Sequence, residues 1–226
     1  ILADHCSDCL FAPTEKSREI LLSEGISDDK IFVTGNTIVD AVYQNMKIGK
    51  KKVNPLNDFN LEPRKYFLVT AHRQENVDDK IRFKGILDGL ETVASEFDLP
   101  IIYPIHPRAK KMVNNFGLKA NGIKFIEPVD YLSFLQLEDN AKLVLTDSGG
   151  VQEETCILKI PCVTLRGNTE RPETLDVGSN VLAGTNPDRI LECTNKMLNV
   201  ENSWDNPFGD GKAGERIVEI LERECE

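Results

Sequence analysis

The 226-residue sequence predicts an α/β protein built on a Rossmann-like doubly wound parallel sheet. Three observations predict it. Short runs rich in Val, Ile and Leu recur at 66–71, 100–105, 123–126, 142–146, 161–165 and 179–184. These runs are apolar on both faces, as strands sandwiched between two helical layers are. Helical stretches lie between most of them, so right-handed crossovers connect parallel neighbours.

Taken in order, "CLFA" predicts a strand, and Thr14 predicts the cap of a helix over "EKSREILLSEG" that stops at Gly25. "KIFVTG" is a second strand and "NTIVDAVYQNM" a helix with Asn36 near its start. "KIGKKKVNPLNDFNLEPRK" is basic, rich in Pro and Asn, and lacks periodicity, which predicts a linker over 47–65. The six regular strands follow, and "GERIVEILEREC" is an amphipathic helix at the end.

Composition narrows the function. Hydrophobic residues make up 40%, charged residues 28%, and the formal net charge is -10, an ordinary globular balance that argues against a broad basic face for nucleic acid or membrane. No apolar run approaches membrane-spanning length and no signal peptide is visible, so a cytoplasmic protein is expected. The opening Ile1-Leu2-Ala3-Asp4-His5, without Met, is expected of a fragment or a processed product. Of the six cysteines, Cys156, Cys162 and Cys193 lie in apolar settings and read as reduced core residues. Cys6 and Cys9 form a lone C-x-x-C without a second ligand pair, which reads as two semi-buried thiols flanking a turn, and no metal is expected.

In the common strand order 3-2-1-4-5-6, ligands bind beyond the carboxyl ends of strands one and four. Counted from Tyr66, those ends carry "TAHRQEN" and "TDSGGVQEE". A helix starting at Ser148-Gly149-Gly150 points free N–H groups past its strand, and glycines admit a phosphate close to the backbone. A plain glycine turn capped by Ser or Asp suits the same pattern. The other strand ends add His72 and Arg73, His106 and Arg108, and Arg166 and Arg171, all placed to line one crevice and hold phosphate oxygens. Glu154, one turn into the helix, suits the two hydroxyls of a ribose, whereas Glu153 reads as favourable charge in a first helical turn. Phe134 is placed to meet a base, and Tyr131, Leu132 and Leu135 read as core.

Together "FAPTEKSREILLSEGI", "VTGNTIVDA", "VTAHRQEN", "TDSGGVQEE" and "LRGNTERPET" resemble the non-hydrolysing UDP-N-acetylglucosamine 2-epimerases, in order from Ala12 to Thr174. The resemblance implies the C-terminal half of a glycosyltransferase-B-type two-domain fold, with the active site between the domains. It implies interconversion of UDP-N-acetylglucosamine and UDP-N-acetylmannosamine by elimination of UDP and its re-addition. It implies His72 beside the diphosphate and sugar, as the catalytic candidate of this chain. Ser148, Gly149 and Gly150 are implied as the diphosphate cradle, Arg171 as a diphosphate contact, Glu154 as the ribose ligand, and Phe134 with Val129 as uracil contacts. Arg73 and Glu75 are candidates for an activating UDP-sugar site. No cofactor is implied, and a homodimer is.

Against the full family pattern, 1–46 resembles a remnant of an N-terminal domain, 47–65 the linker, 66–206 the UDP-binding domain, and 207–226 a helix returning toward the N-terminal domain. The main acid and base carboxylates are implied in the part that is missing, so the chain alone is expected to bind UDP weakly and turn over little. A UDP-sugar glycosyltransferase, a hydrolysing epimerase, or a non-catalytic UDP-sugar-binding short form are the alternative readings.

Overall fold

The computed structural model describes residues 1–224; Cys225 and Glu226, included in the expected C-terminal helix, lie outside the described residues. From the N-terminus the chain forms α1 (Leu2–Cys6), β1 (Leu10–Ala12), α2 (Glu15–Ser23), β2 (Ile31–Val33), α3 (Thr37–Lys52) and α4 (Pro55–Phe59). There follow β3 (Phe67–Thr70), α5 (Gln74–Val77), α6 (Lys80–Phe97), β4 (Ile101–Pro104), α7 (Pro107–Phe116), β5 (Ile123–Ile126) and α8 (Tyr131–Asn140). The chain continues through β6 (Leu143–Thr146), α9 (Gly149–Leu158), β7 (Cys162–Thr164), α10 (Pro172–Asp176), β8 (Asn180–Leu182), α11 (Pro187–Leu198) and α12 (Ala213–Glu224).

Two compact units result. Ile1–Asn45 and the stretch from Asn206 onward form one, and Met46–Asp205 form the other. In the first, β1 and β2 pair in parallel, Leu10 opposite Ile31, around a small core of Leu10, Ala12, Ile26 and Ile31. Thr14 caps α2 by accepting from the Ser17 amide at 3.2 Å, and Gly25 (φ +89°) ends the turn beyond it. Asp40 on α3 takes the Ala213 and Gly214 amides, 3.2 and 3.0 Å away, at the start of α12. Cys6 is exposed rather than semi-buried, because it ends a short helix in which no residue is buried.

The second unit is a six-stranded sheet in the order β5-β4-β3-β6-β7-β8, every pair parallel. This is the order assumed for the switch point, with β3 and β6 central. Alternate residues serve opposite faces, so Phe67, Val69, Ile101, Leu143 and Leu145 join one core and Leu68, Ile102 and Val144 the other. Cys156, Cys162 and Cys193 are buried free thiols, as expected. Among the described residues no helix is long and apolar enough to cross a membrane.

The stretch over 47–65 is more ordered than its composition suggests. α3 runs on to Lys52, and Asn54 and Pro55 start α4. The lysines 50–52 face solvent and leave no apolar period to read, yet they suit the carbonyl end of a helix. Phe59 and Leu61 then pack on the second core.

Two glycines set how closely α6 and α11 approach. A Cβ on Gly89 would stand 2.8 Å from Ile190 Cδ1 and 3.2 Å from Pro187 Cα, and one on Gly85 would collide with the Thr185 carbonyl. Gly85→Ala is therefore expected to destabilise the fold by about 1–3 kcal/mol, despite alanine's better helix propensity. A thermal melt checks this, and an unchanged or raised midpoint would show that the helices can slide apart.

Candidate functional site

The carboxyl ends of β3 and β6 are tied together by one buried acid. Asp147, fully enclosed, accepts the His72 amide at 3.1 Å, the Arg73 amide at 2.9 Å and the Asn76 side-chain amide at 3.0 Å. His72 Nδ1 stands 3.5 Å from the same carboxylate. Asn76 also donates to the Leu165 carbonyl at 3.1 Å, which brings in the end of β7. Thr146 Oγ1 bonds Thr70 Oγ1 across the strands at 2.6 Å and accepts the Ser148 amide at 2.9 Å. The loop carrying His72 and Arg73 is thus held by main-chain donors, leaving both side chains 40% or more exposed.

Beyond Asp147 the chain enters α9. Ser148 occupies the N-cap, but its side chain makes no capping bond to the first amides of the helix. Those N–H groups and the helix dipole face the end of the strand as a ready anion site. A Cβ on Gly149 would stand 3.8 Å from Glu170 Oε2, 3.9 Å from Arg73 Nη2 and 4.0 Å from Arg171 Cγ. The fold therefore brings Gly149, Arg73 and Arg171 to one spot.

The cations are not equivalent. Arg171 is placed by Glu153, whose Oε1 is 2.7 Å from Arg171 Nε. Glu153 is buried in the body of the helix, so its charge serves this ion pair and not the first helical turn. Arg166 is buried between Glu75, at 2.8 Å from its Nε, and Glu170, which it grips with both terminal nitrogens. That grip lowers the Glu170 carboxyl to about 2. Arg166 thus serves as scaffold, where the sequence placed it in the crevice. Arg108 is bound bidentate by Asp78, and His106 caps α7 by accepting the Arg108 amide at 3.2 Å. The pairings of Arg166 with Glu75 and of Arg108 with Asp78, acids far along the chain, are invisible to strand-end counting.

A cavity of about 260 Å³ opens beside this cluster. His72, Val129 and Phe134 share its wall with Tyr103, His106 and Val151. That is room for a base and part of its sugar, less than the ~300 Å³ or more of sites that enclose whole ligands. Glu154 is not among the lining residues. It is 7% exposed, and Tyr131 donates its hydroxyl to Glu154 Oε1 at 2.8 Å. Burial raises the Glu154 carboxyl to about 7. Tyr131 is exposed at the start of α8 and is this carboxyl's partner, whereas sequence reading put it in the core. Leu135 is buried as expected, and Leu132 half-buried.

Three contributors escaped sequence reading. Asp147 and Asn76 stand inside quoted motifs but gave no sign of being the clamp. Gln152 Oε1 accepts the Thr169 hydroxyl at 2.5 Å and the Asn180 amide at 3.2 Å, while Thr169 Oγ1 accepts the Arg171 amide at 2.9 Å. Gln152, fully buried in α9, therefore positions the loop that carries Arg171. Its signal was a polar residue where a helix buries nearly its whole surface.

A family model described as UDP-N-acetylglucosamine 2-epimerase matches residues 1–222. The UDP-N-acetylglucosamine 2-epimerase of Methanocaldococcus jannaschii is 55% identical over 228 residues, covering 98% of this chain and 62% of that protein. Its counterpart in Methanococcus maripaludis is 52% identical over 228 residues, with 98% and 62% covered. A crystal structure of the M. jannaschii enzyme in complex with UDP-GlcNAc and UDP matches with a TM-score of 0.91, covering 98% of this chain and 63% of that chain at 55% identity. The likeness carries the expected fold class, α/β in the glycosyltransferase-B manner. The chain spans 62% of the length of these curated relatives.

Proposed function

The chain belongs to the UDP-N-acetylglucosamine 2-epimerase family, and from that premise we propose that it supplies the UDP-gripping part of an enzyme interconverting UDP-N-acetylglucosamine and UDP-N-acetylmannosamine. In this reading the Ser148 hydroxyl and the amides of Gly149 and Gly150 at the start of α9, with Arg171, hold the diphosphate. Phe134 and Val129 meet the uracil, and Glu154 accepts ribose hydroxyls. His72 stands beside the diphosphate and sugar, with Arg73 and Glu75 toward a second, activating UDP-sugar. Loss of UDP in the elimination step concentrates charge on the β-phosphate, and fixed N–H dipoles and a held guanidinium stabilise that charge as it develops. The complementary acid and base belong to the remainder of the enzyme. The same proposal takes 66–206 as the UDP-binding domain, 1–46 as part of the other domain, 207–226 as a helix packing back toward that domain, and a cytoplasmic homodimer as the working form.

The observation that carries this reading is Gly149, whose open side at the start of an uncapped helix faces Arg73 and Arg171 with the Glu170 carboxylate beside them. Calorimetric titration tests it. UDP is expected to bind this chain, uridine not detectably, and Arg171→Ala to weaken UDP about tenfold to about a hundredfold, as loss of a charge-assisted bond implies. Equal binding of UDP and uridine would remove the diphosphate from the reading. Exchange of the C2 proton by the complete enzyme, with UDP-sugar left intact, separates epimerisation from hydrolysis and glycosyl transfer.

A further inference from the structure

α8 and α9 bury two carboxyls against each other. Glu138 on α8 is fully enclosed, and Glu154 on α9 nearly so. The ionisable groups that bear on them are Tyr131 and Asp139 on α8, Glu153 on α9, Tyr66 before β3 and Cys162 on β7. None of these is a cation. Arg64 acts on Tyr66 and donates to the Ala141 carbonyl, and Asp58 of α4, which also packs on α8, is exposed. Glu153 already faces Arg171.

With both carboxyls ionised, neither oxygen of Glu138 has a hydrogen-bond partner. Two enclosed like charges would then repel each other in a medium that solvates neither. A single proton resolves both difficulties, because Tyr131, two turns from Glu138 on the same face of α8, bonds Glu154 on the packed helix α9 and so sets the two carboxyls beside each other. Glu138 is the member to hold it, since it is the more enclosed and Glu154 already receives the Tyr131 hydroxyl, which favours charge on Glu154.

We propose that Glu138 is a positioning residue that keeps the shared proton and donates it to Glu154, presenting Glu154 as a singly charged acceptor for the vicinal hydroxyls of a nucleoside. The role of the diol rests on the nucleotide reading above; the proton does not. Clamped by two O–H donors, the Glu154 carboxylate keeps its remaining lone pairs for a ligand.

Burial pushes Glu138 well above the usual carboxyl range and Glu154 up to about 7. Both values are raised by folding, so the pair's contribution to stability is complete below the unfolded carboxyl value and is lost as pH rises through the folded ones. Binding behaves differently. Protonation of Glu154 removes its acceptor below about 7. Ionisation of Glu138 at more alkaline pH removes the donor and restores the repulsion.

Infrared spectroscopy and UDP titration across pH test this on the parent chain, Glu138→Gln and Glu138→Met. More than one pH unit above the Glu154 value of about 7, where Glu154 is ionised, the parent is expected to show the carbonyl stretch of a neutral carboxylic acid, absent from both variants. Gln keeps a neutral donor of the same shape, so UDP affinity stays within about threefold of the parent. Met is apolar and fits a buried site, yet lacks the donor, and its UDP affinity falls about tenfold. Weakening at alkaline pH is expected in the parent and not in Glu138→Gln; the titration of UDP itself is common to both and cancels in the comparison. Absence of the acid band in the parent, or a folded Glu138→Met that binds UDP as the parent does, overturns the proposal. An acid band in a parent that does not bind UDP overturns the nucleotide reading and leaves the proton assignment standing.

Discussion

Asp147→Ala is expected to destabilise the larger unit by about 3–5 kcal/mol, the range for removing one partner from a buried charged network. The carboxylate is fully enclosed and satisfies the amides of His72 and Arg73 and the side chain of Asn76. Alanine leaves those donors enclosed without their acceptor, so the loss is the desolvation of three N–H groups, well beyond the value of a single bond. The same change frees the loop that presents His72 and Arg73, and UDP affinity should fall with it. Asp147→Asn separates shape from charge, since one amide oxygen can still accept two bonds; recovery of part of the stability is expected. Denaturant unfolding at constant slope measures both. A loss below about 1 kcal/mol for alanine would mean that water replaces the clamp and that the loop is held elsewhere.

Gly149 should give the opposite pattern, with binding lost and stability kept. Its backbone does not lie in the left-handed region, and a Cβ there would meet only ordinary contacts at 3.8–4.0 Å. The fold therefore has no need of glycine at this position. Alanine is expected to leave stability unchanged or raise it by about 0.4–1 kcal/mol, through a less disordered unfolded chain. The Cβ would instead occupy the space between the helix amides and the group of Arg73, Arg171 and Glu170. Gly149→Ala is expected to weaken UDP about tenfold, and Gly149→Val about a hundredfold or more. Melts and titrations on the same samples decide it. Full binding by the valine variant would show that no ligand approaches this backbone, and the diphosphate would have to lie elsewhere.

The strands, their parallel sense and the two motif-bearing loops were legible because they depend on local signals, whereas the strand order was taken from the common doubly wound sheet and is the one observed. Doubly apolar runs mark buried strands, and the length between them permits crossovers. Residues that meet across the fold were not legible. Glu153 looked like a helix-dipole charge because its partner Arg171 is far along the chain and arrives through a loop. Tyr131 looked like core because an aromatic residue opening a helix carries no mark of the carboxyl it bonds. Arg166 and Arg171 were equal as letters, yet one is sealed between two acids and the other is half-open.

By itself the sequence determined the layered α/β architecture and the loops that carry the motifs, and with the common strand order it pointed to the switch point between β3 and β6. The tertiary structure decided which of their side chains remain available. Asp147 and Gln152 act through hydrogen bonds that exist only once strands and helices remote in sequence are packed together. Burial then sets the energy of each of those bonds, because an enclosed polar group must find its partner within the protein.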